Sequence, residues 1–515
     1  MDKKRSVLNV SISFISRITL LFASFFVRRL LIKYLGNDAN GLNSLYTSII
    51  VILNLAELGV GNAISYSMYK PIVEGDRRQV AALYGLYKRL YQIIGGVIFG
   101  AGLLVMPFLP HFISDYQALD VNIYFPFFLT LISVVLTYLY GAKTSLIMAH
   151  KDDYITTGIL TMCRLVGHVL QTFSILIFRS FSVYSGCQIV ETFLVWGMTE
   201  RVVRKRHGEI VKRQEEVDRE TRLEISRNVR AMCMHKIGGT LAYTLDNVII
   251  STFIGVVILG KYSNYTLIVS SVSGTIALCF TPLTSVIGHL CAGENRAEIK
   301  RTFHFFYYLN YVLGVIFFHG YFAVSDSVIR LLFGEGLEIS RSITFVISLN
   351  AFIQYMRSTT LLFRDATATY YYDRWKPLAE GLTNLGLSLL FVHIFPEEYR
   401  VAGVIVATII TSLLIGDVVE PYVIFKYIFG ESVKRFWLKN YFLTALFTGS
   451  LFVLTYILRP VNGVIKGIFG NGLLSVAVSL LVLGLVSLFD KNFRQEIRVV
   501  RGKICRVINI FRHGR

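Results

Sequence analysis

Asn9–Thr47 reads NVSISFISRITLLFASFFVRRLLIKYLGNDANGLNSLYT, and Asn228–Thr266 reads NVRAMCMHKIGGTLAYTLDNVIISTFIGVVILGKYSNYT. Laid over one another without gaps, the second stretch 219 residues after the first, they share nine identities in 39 positions. The matches are Asn9/Asn228, Val10/Val229, Ile18/Ile237, Ala23/Ala242, Gly36/Gly255, Gly41/Gly260, Ser44/Ser263, Tyr46/Tyr265 and Thr47/Thr266. A cation recurs at one position of both apolar runs, Arg17 and Lys236. A glycine recurs where each helix must stop and the chain must turn, Gly36 and Gly255. A unit repeated in this way, offset by an even number of spans, gives two halves of the same orientation, as in transporters with parallel repeats.

The rest of the chain agrees with that plan. Of its 515 residues 54% are hydrophobic and only 17% charged, and the mean hydropathy is +0.57. A soluble protein carries about 25% charged residues, so there is too little polar material here to cover a globular surface. With about 20 apolar residues needed per crossing, fourteen spans are expected. Their centres fall near positions 18, 56, 95, 135, 168, 192, 244, 275, 313, 353, 386, 413, 448 and 479. Most of the 52 Lys and Arg then lie on the segments that share a side with the N terminus, which the positive-inside rule reads as cytoplasmic for both termini. The net charge of +19 follows from that skew. It implies attraction to anionic membrane lipids and is no footprint of nucleic acid. The first apolar run passes Arg17 toward Val27 without a small-residue cleavage site, so it reads as a span. The six cysteines show neither a metal-binding spacing nor a disulfide pattern.

The expected fold class is therefore an all-α polytopic membrane protein of about fourteen helices. Two six-helix lobes would enclose a central cavity, with two helices appended. The expected divisions are an N-lobe at 1–206, a cytoplasmic connector helix at 207–230, a C-lobe at 231–430, two further spans at 431–490, and a basic cytoplasmic tail at 491–515. In the tail Ile497, Val500, Ile504, Ile508 and Phe511 share a helical face among arginines, as in a helix lying on a membrane surface.

One carboxylate is out of place. In NLAELGVGNAISYSMYKPIVEGDRR (Asn54–Arg78), Glu57 lies well inside the apolar part of the second span with no basic residue within a turn or two. A charge at that depth is expensive and normally faces a bundle interior or an aqueous cavity. The glycines that follow, Gly59 and Gly61, allow bending or close helix approach.

These residues carry a resemblance. YLGNDANGLNSLYTSIIVILNLAELGVGNAISYSMYKPIVEGDRRQVAALYGLYKRLYQIIG resembles the N-terminal signature of Wzx-type polysaccharide and O-antigen flippases. Those proteins belong to the multidrug/oligosaccharidyl-lipid/polysaccharide (MOP) exporter superfamily. The resemblance returns in NVRAMCMHKIGGTLAYTLDNVIIS, RWKPLAEGLTNLGLSLL and VAGVIVATIITSLL. FRDATATYYYDRW lacks a glycine the family often shows, and FPEEYRVAG is a more acidic turn than the family's. The resemblance implies a bacterial inner-membrane protein that moves an undecaprenyl-pyrophosphate-linked oligosaccharide outward by alternating access, and implies hand-over to polysaccharide polymerase and export machinery. It is not an enzyme's resemblance and calls for no cofactor or metal. The sequence leaves open a peptidoglycan-lipid flippase or a cation-coupled small-molecule antiporter of the same superfamily.

A pyrophosphate needs cations in a wet cavity, and the planar fork of arginine matches phosphate oxygens. The candidate cavity cations are Arg17, Lys236, Arg164 and Arg357, with Arg17 first, since related lipid flippases place essential arginines in span 1. Glu57 and Asp246 are expected as counter-ions or coupling groups.

Overall fold

The computed structural model describes residues 2–57, 59–119, 121–213, 215–280, 283–292, 295–367, 369–458 and 463–496. The surface helix expected in the tail lies outside them. Among the described residues the chain is helical throughout, with no strand. In chain order the helices are α1 (Asp2–Leu53), α2 (Val60–Glu74), α3 (Arg77–Val105), α4 (Tyr124–Ala149), α5 (Asp153–Phe173), α6 (Phe181–Lys212), α7 (Arg219–Phe253) and α8 (Val256–Phe280). There follow α9 (Leu283–Ala292), α10 (Arg296–Phe333), α11 (Arg341–Ala366), α12 (Lys376–Ile394), α13 (Arg400–Thr411), α14 (Asp417–Val423), α15 (Lys434–Ile457) and α16 (Val464–Phe489). Among the described residues eight helical segments are by themselves long and apolar enough to cross a membrane, which makes this a multi-pass membrane protein. All fourteen expected span centres fall on helical backbone.

Local chemistry sets the breaks. α1 is two helices meeting at Gly36, which sits at φ 90°, ψ 164°, a conformation that a Cβ makes costly. Gly255, its partner in the repeat, has φ 131° between α7 and α8. The second span is interrupted as well. After Leu53 it tightens into a 3₁₀ turn, Asn54–Glu57, and α2 starts after Gly59 in the left-handed region. The connector departs from expectation: α6 kinks at His207 and ends at Lys212, and α7 begins at Arg219 with Asp218 as its N-cap. The Asp218 carboxylate accepts from the Thr221 amide at 2.8 Å. Two helix extensions joined by non-helical chain stand where one helix was expected, since a capped start and a kink each end a helix.

The chain forms two compact units, and they do not coincide with the repeat halves. One comprises 1–271, 332–337 and 377–404; the other 272–331, 338–376 and 405–515. In the first, α4 packs on α3 and α6, α1 packs on α5, and α1 and α2 also pack against α7. The core of the second is aromatic: Phe303 lies within 5.2–5.9 Å of Phe363, Phe425, Phe429 and Phe436, ring centre to ring centre.

Candidate functional site

Within the first unit the two repeat copies meet along a seam. A Cβ on Gly41 would overlap the Val256 carbonyl oxygen, and a Cβ on Gly260 would overlap that of Asn37. The repeat offset carries Gly41 onto Gly260 and Asn37 onto Val256, so these are one contact made twice around a local two-fold. Polar side chains line the same seam. Asn40 donates to the Gly260 carbonyl at 2.9 Å. Arg28 donates to the Ser263 carbonyl at 3.0 Å, and its repeat mate Asn247 donates to the Ser48 hydroxyl at 2.9 Å. Glycine allows backbone-to-backbone approach here, and the side-chain donors satisfy carbonyls that would otherwise be stranded.

The candidate cations hang from this seam. At 1.5 Å of rise per residue, Arg17 and Lys236 each lie about 28 Å from their turn glycines. That approaches the thickness of a hydrocarbon core, about 30 Å, and puts both toward the end of the helices opposite the seam. Lys236 is half-buried and ion-paired: its Nζ is 2.8 Å from Glu57 Oε2. The other oxygen of Glu57 accepts from the Tyr91 hydroxyl at 2.7 Å, Tyr87 stands 3.0 Å behind Tyr91, and Ser145 stands 3.0 Å from Tyr87. Gly61 is required by this group, since a Cβ there would press into both tyrosine hydroxyls and Glu57 Oε1. Glu57 ends the 3₁₀ turn Asn54–Glu57, and its carboxylate reaches across to α7. Arg17 is exposed and has no carboxylate partner among the described residues.

The remaining candidates stand apart from that pair. Arg164 on α5 reaches Glu191 on α6 at 3.1 Å, with 55% of its side chain exposed. Asp246 is buried on α7. Arg357, expected to line a cavity, is buried in the second unit with only 2% of its side chain exposed. Its guanidinium forks onto Glu420 at 2.6 and 3.2 Å, and Nη1 donates to Gln354 at 3.0 Å. Lys376 joins Glu420 from the other side at 2.5 Å. Gly416, in a π-helical turn over Ser412–Gly416, leaves room for the Arg357 guanidinium. Arg357 therefore ties α11 to α14, and Lys376, the first residue of α12, shares the same carboxylate. Arg28, Tyr91 and Lys376 were not among the expected site residues, and each acts through a partner far away in sequence.

No family model and no curated protein matches the sequence. Solved structures do. A structure described as "Lipid II flippase MurJ, inward closed conformation" aligns with TM-score 0.61 at 15% identity, over 95% of this chain and all of that one. An inward-facing multidrug resistance MATE family transporter of the MOP superfamily aligns with TM-score 0.58 at 13% identity, over 78% of this chain and 96% of that one. The chain shares its fold with these two transport-protein structures. A mutant of the Vibrio cholerae MATE transporter VcmN has it too, with TM-score 0.52 at 11% identity over 82% of this chain and all of that one. In this fold the seam joins the first helix hairpin of each repeat, and the Glu57–Lys236 pair bridges the same two hairpins at their other end.

Proposed function

We propose that the protein is a flippase that carries an undecaprenyl-pyrophosphate-linked oligosaccharide, a repeat unit of O-antigen, capsule or exopolysaccharide, from the inner to the outer leaflet of a bacterial inner membrane. Both termini would be cytoplasmic and the seam periplasmic. The observation that carries this reading is the extent of the likeness: the flippase alignment spans 95% of the chain, against 78% for the drug transporter. The Wzx-like stretch around Glu57 favours a polysaccharide precursor over lipid II itself, and completed glycan would pass to polymerase and export machinery.

A loading step follows from this reading. With the seam shut, the mouth holds one cation without a carboxylate among the described residues, Arg17, and one paired, Lys236. An incoming diphosphate is drawn to Arg17 and competes with Glu57 for Lys236, so substrate would break the ion pair that ties α2 to α7 at the mouth. Loading then loosens the inner end, and rocking can open the seam. Arg164, released from Glu191, is the third cation within this scheme; Asp246 would serve as a counter-ion nearer the seam.

Arg17→Ala is expected to cut surface glycan at least about tenfold at matched protein level, the worth of about one charge-assisted contact to phosphate. Lipid-linked glycan should build up on the inner leaflet, with Arg17→Lys partly restoring export. Glu57→Gln should bind lipid-linked substrate more tightly yet turn over more slowly. Normal surface glycan in cells with Arg17→Ala would refute the assignment, and build-up of lipid II in place of lipid-linked glycan would transfer it to peptidoglycan precursor.

A further inference from the structure

Two cavities outside the proposed substrate path lie at helix ends, one walled by the first repeat and one by the second repeat together with the helices that follow it. The first, about 650 Å³, opens where the start of α3 meets the last turns of α6. The second, about 770 Å³, opens where the start of α10 meets the chain between α14 and the first turns of α15. The repeat offset relates them. It carries Asp76, whose carboxylate accepts from the Gln79 amide at 2.9 Å, onto Asn295, whose side-chain oxygen accepts from the Glu298 amide at 3.3 Å. It also carries Arg77, the first residue of α3, onto Arg296, the first residue of α10.

Both walls keep cations to spare. In the first cavity Arg77 pairs with Glu209, Arg204 with Glu200 and Arg206 with Asp152. That leaves Lys205 and Lys212 on the wall without a carboxylate among the described residues. In the second, Lys300 pairs with Glu431 and Lys439 with Asp490, which leaves Arg296, Arg301 and Arg435. Each cavity wall also carries an imidazole with one buried nitrogen that has no hydrogen-bond partner among the described residues, His207 Nε2 in the first and His304 Nδ1 in the second. The histidines do not correspond in the repeat, so the two cavities reach the same composition from different positions. Burial, with the His150 ring 4.2 Å away, pushes the His207 pKa down to about 4, so at neutral pH the ring offers a hydrogen bond and no charge.

We propose that these cavities are paired binding sites for the phosphate group of an anionic membrane lipid, with Lys205 and Lys212 holding it in the first and Arg301 and Arg435 in the second. A lipid is favoured over a free phosphate because apolar side chains border both openings. Tyr69 and Val73 flank the Pro71–Ile72 wall of the first and stand exposed, as do Leu438 and Phe442 beside the second. These sites are independent of what the central path carries.

The test uses the purified full-length protein in detergent, titrated with phosphatidylglycerol and with phosphatidylcholine and followed by native mass spectrometry. Two saturable phosphatidylglycerol sites are expected. K205Q/K212Q should weaken one and R301Q/R435Q the other, each by about 30-fold for the two basic residues removed. The charge-conserving K205R/K212R, with an unchanged melting temperature, should keep the first site. Equal binding of the two lipids, or wild-type affinity in both glutamine variants, would overturn the proposal. Glycerol phosphate binding as tightly as the lipid, and lost in the same variants, would overturn the lipid source.

Discussion

Glu420→Ala is expected to be the most damaging single substitution in the second unit, lowering stability by about 3–5 kcal/mol. The carboxylate is 1% exposed and holds two cations, Arg357 and Lys376. Deleting it removes the carboxylate that Arg357 and Lys376 share and leaves both buried cations with less negative charge to offset them. The attraction within the triad matters less than this imbalance. Glu420→Gln keeps the shape and one acceptor but not the charge, so it should recover only part of the loss. Removing a cation at the same time, as in Glu420→Gln with Lys376→Met, should recover more than either change does alone. Thermal unfolding in detergent, read by fluorescence-detected gel filtration, separates these cases. A Glu420→Ala protein as stable as the parent would mean that water reaches the triad and that Arg357 is open to the cavity after all.

Gly41→Ala and Gly260→Ala should spring the seam. Each added methyl meets a backbone carbonyl, which cannot swing aside as a side chain does. Overpacking costs about 1–3 kcal/mol, and here it falls only on the state with the seam closed. That shift is worth roughly 5- to 150-fold in the ratio of open to closed. A cysteine placed at Asn264, buried in the seam, should be labelled by a membrane-impermeant maleimide faster in either variant, by about tenfold or more on the same arithmetic. The two alanine variants should resemble each other, because the contacts are symmetry mates. Unchanged labelling in both would show that the seam is not a gate.

The turns beside the seam were legible in the sequence, and the contacts across the seam and the site were not. Gly36 and Gly255 stand out as turns because a helix stop and a repeat register coincide there, and both take positive φ. Glu57 is recognisable as misplaced, and Gly61 as a point of close approach, from local spacing alone. The partners of Glu57 are not: Lys236 is 179 residues away and Tyr91 is 34, and no periodicity encodes which helices touch. Arg357 shows the limit most clearly. An arginine in an apolar run has the same appearance whether it lines water or is fastened to a carboxylate, and the deciding Glu420 lies 63 residues on. Arg28 is inconspicuous because its position near a helix end makes it look like a flanking charge. The connector differs for another reason: its mixed charges suit a helix, but the Asp218 cap and the kink at His207 divide it.

The seam is self-complementary in the manner of a homodimer interface. Any rigid withdrawal of one hairpin from the other along the line joining them removes Gly41 from Val256 and Gly260 from Asn37 in a single movement. Neither close backbone approach can act as a fallback for the other, and what could still span a partly parted seam are the side chains of Arg28, Asn40 and Asn247. In the proposed cycle the two backbone contacts would part together, so the seam would open as one unit.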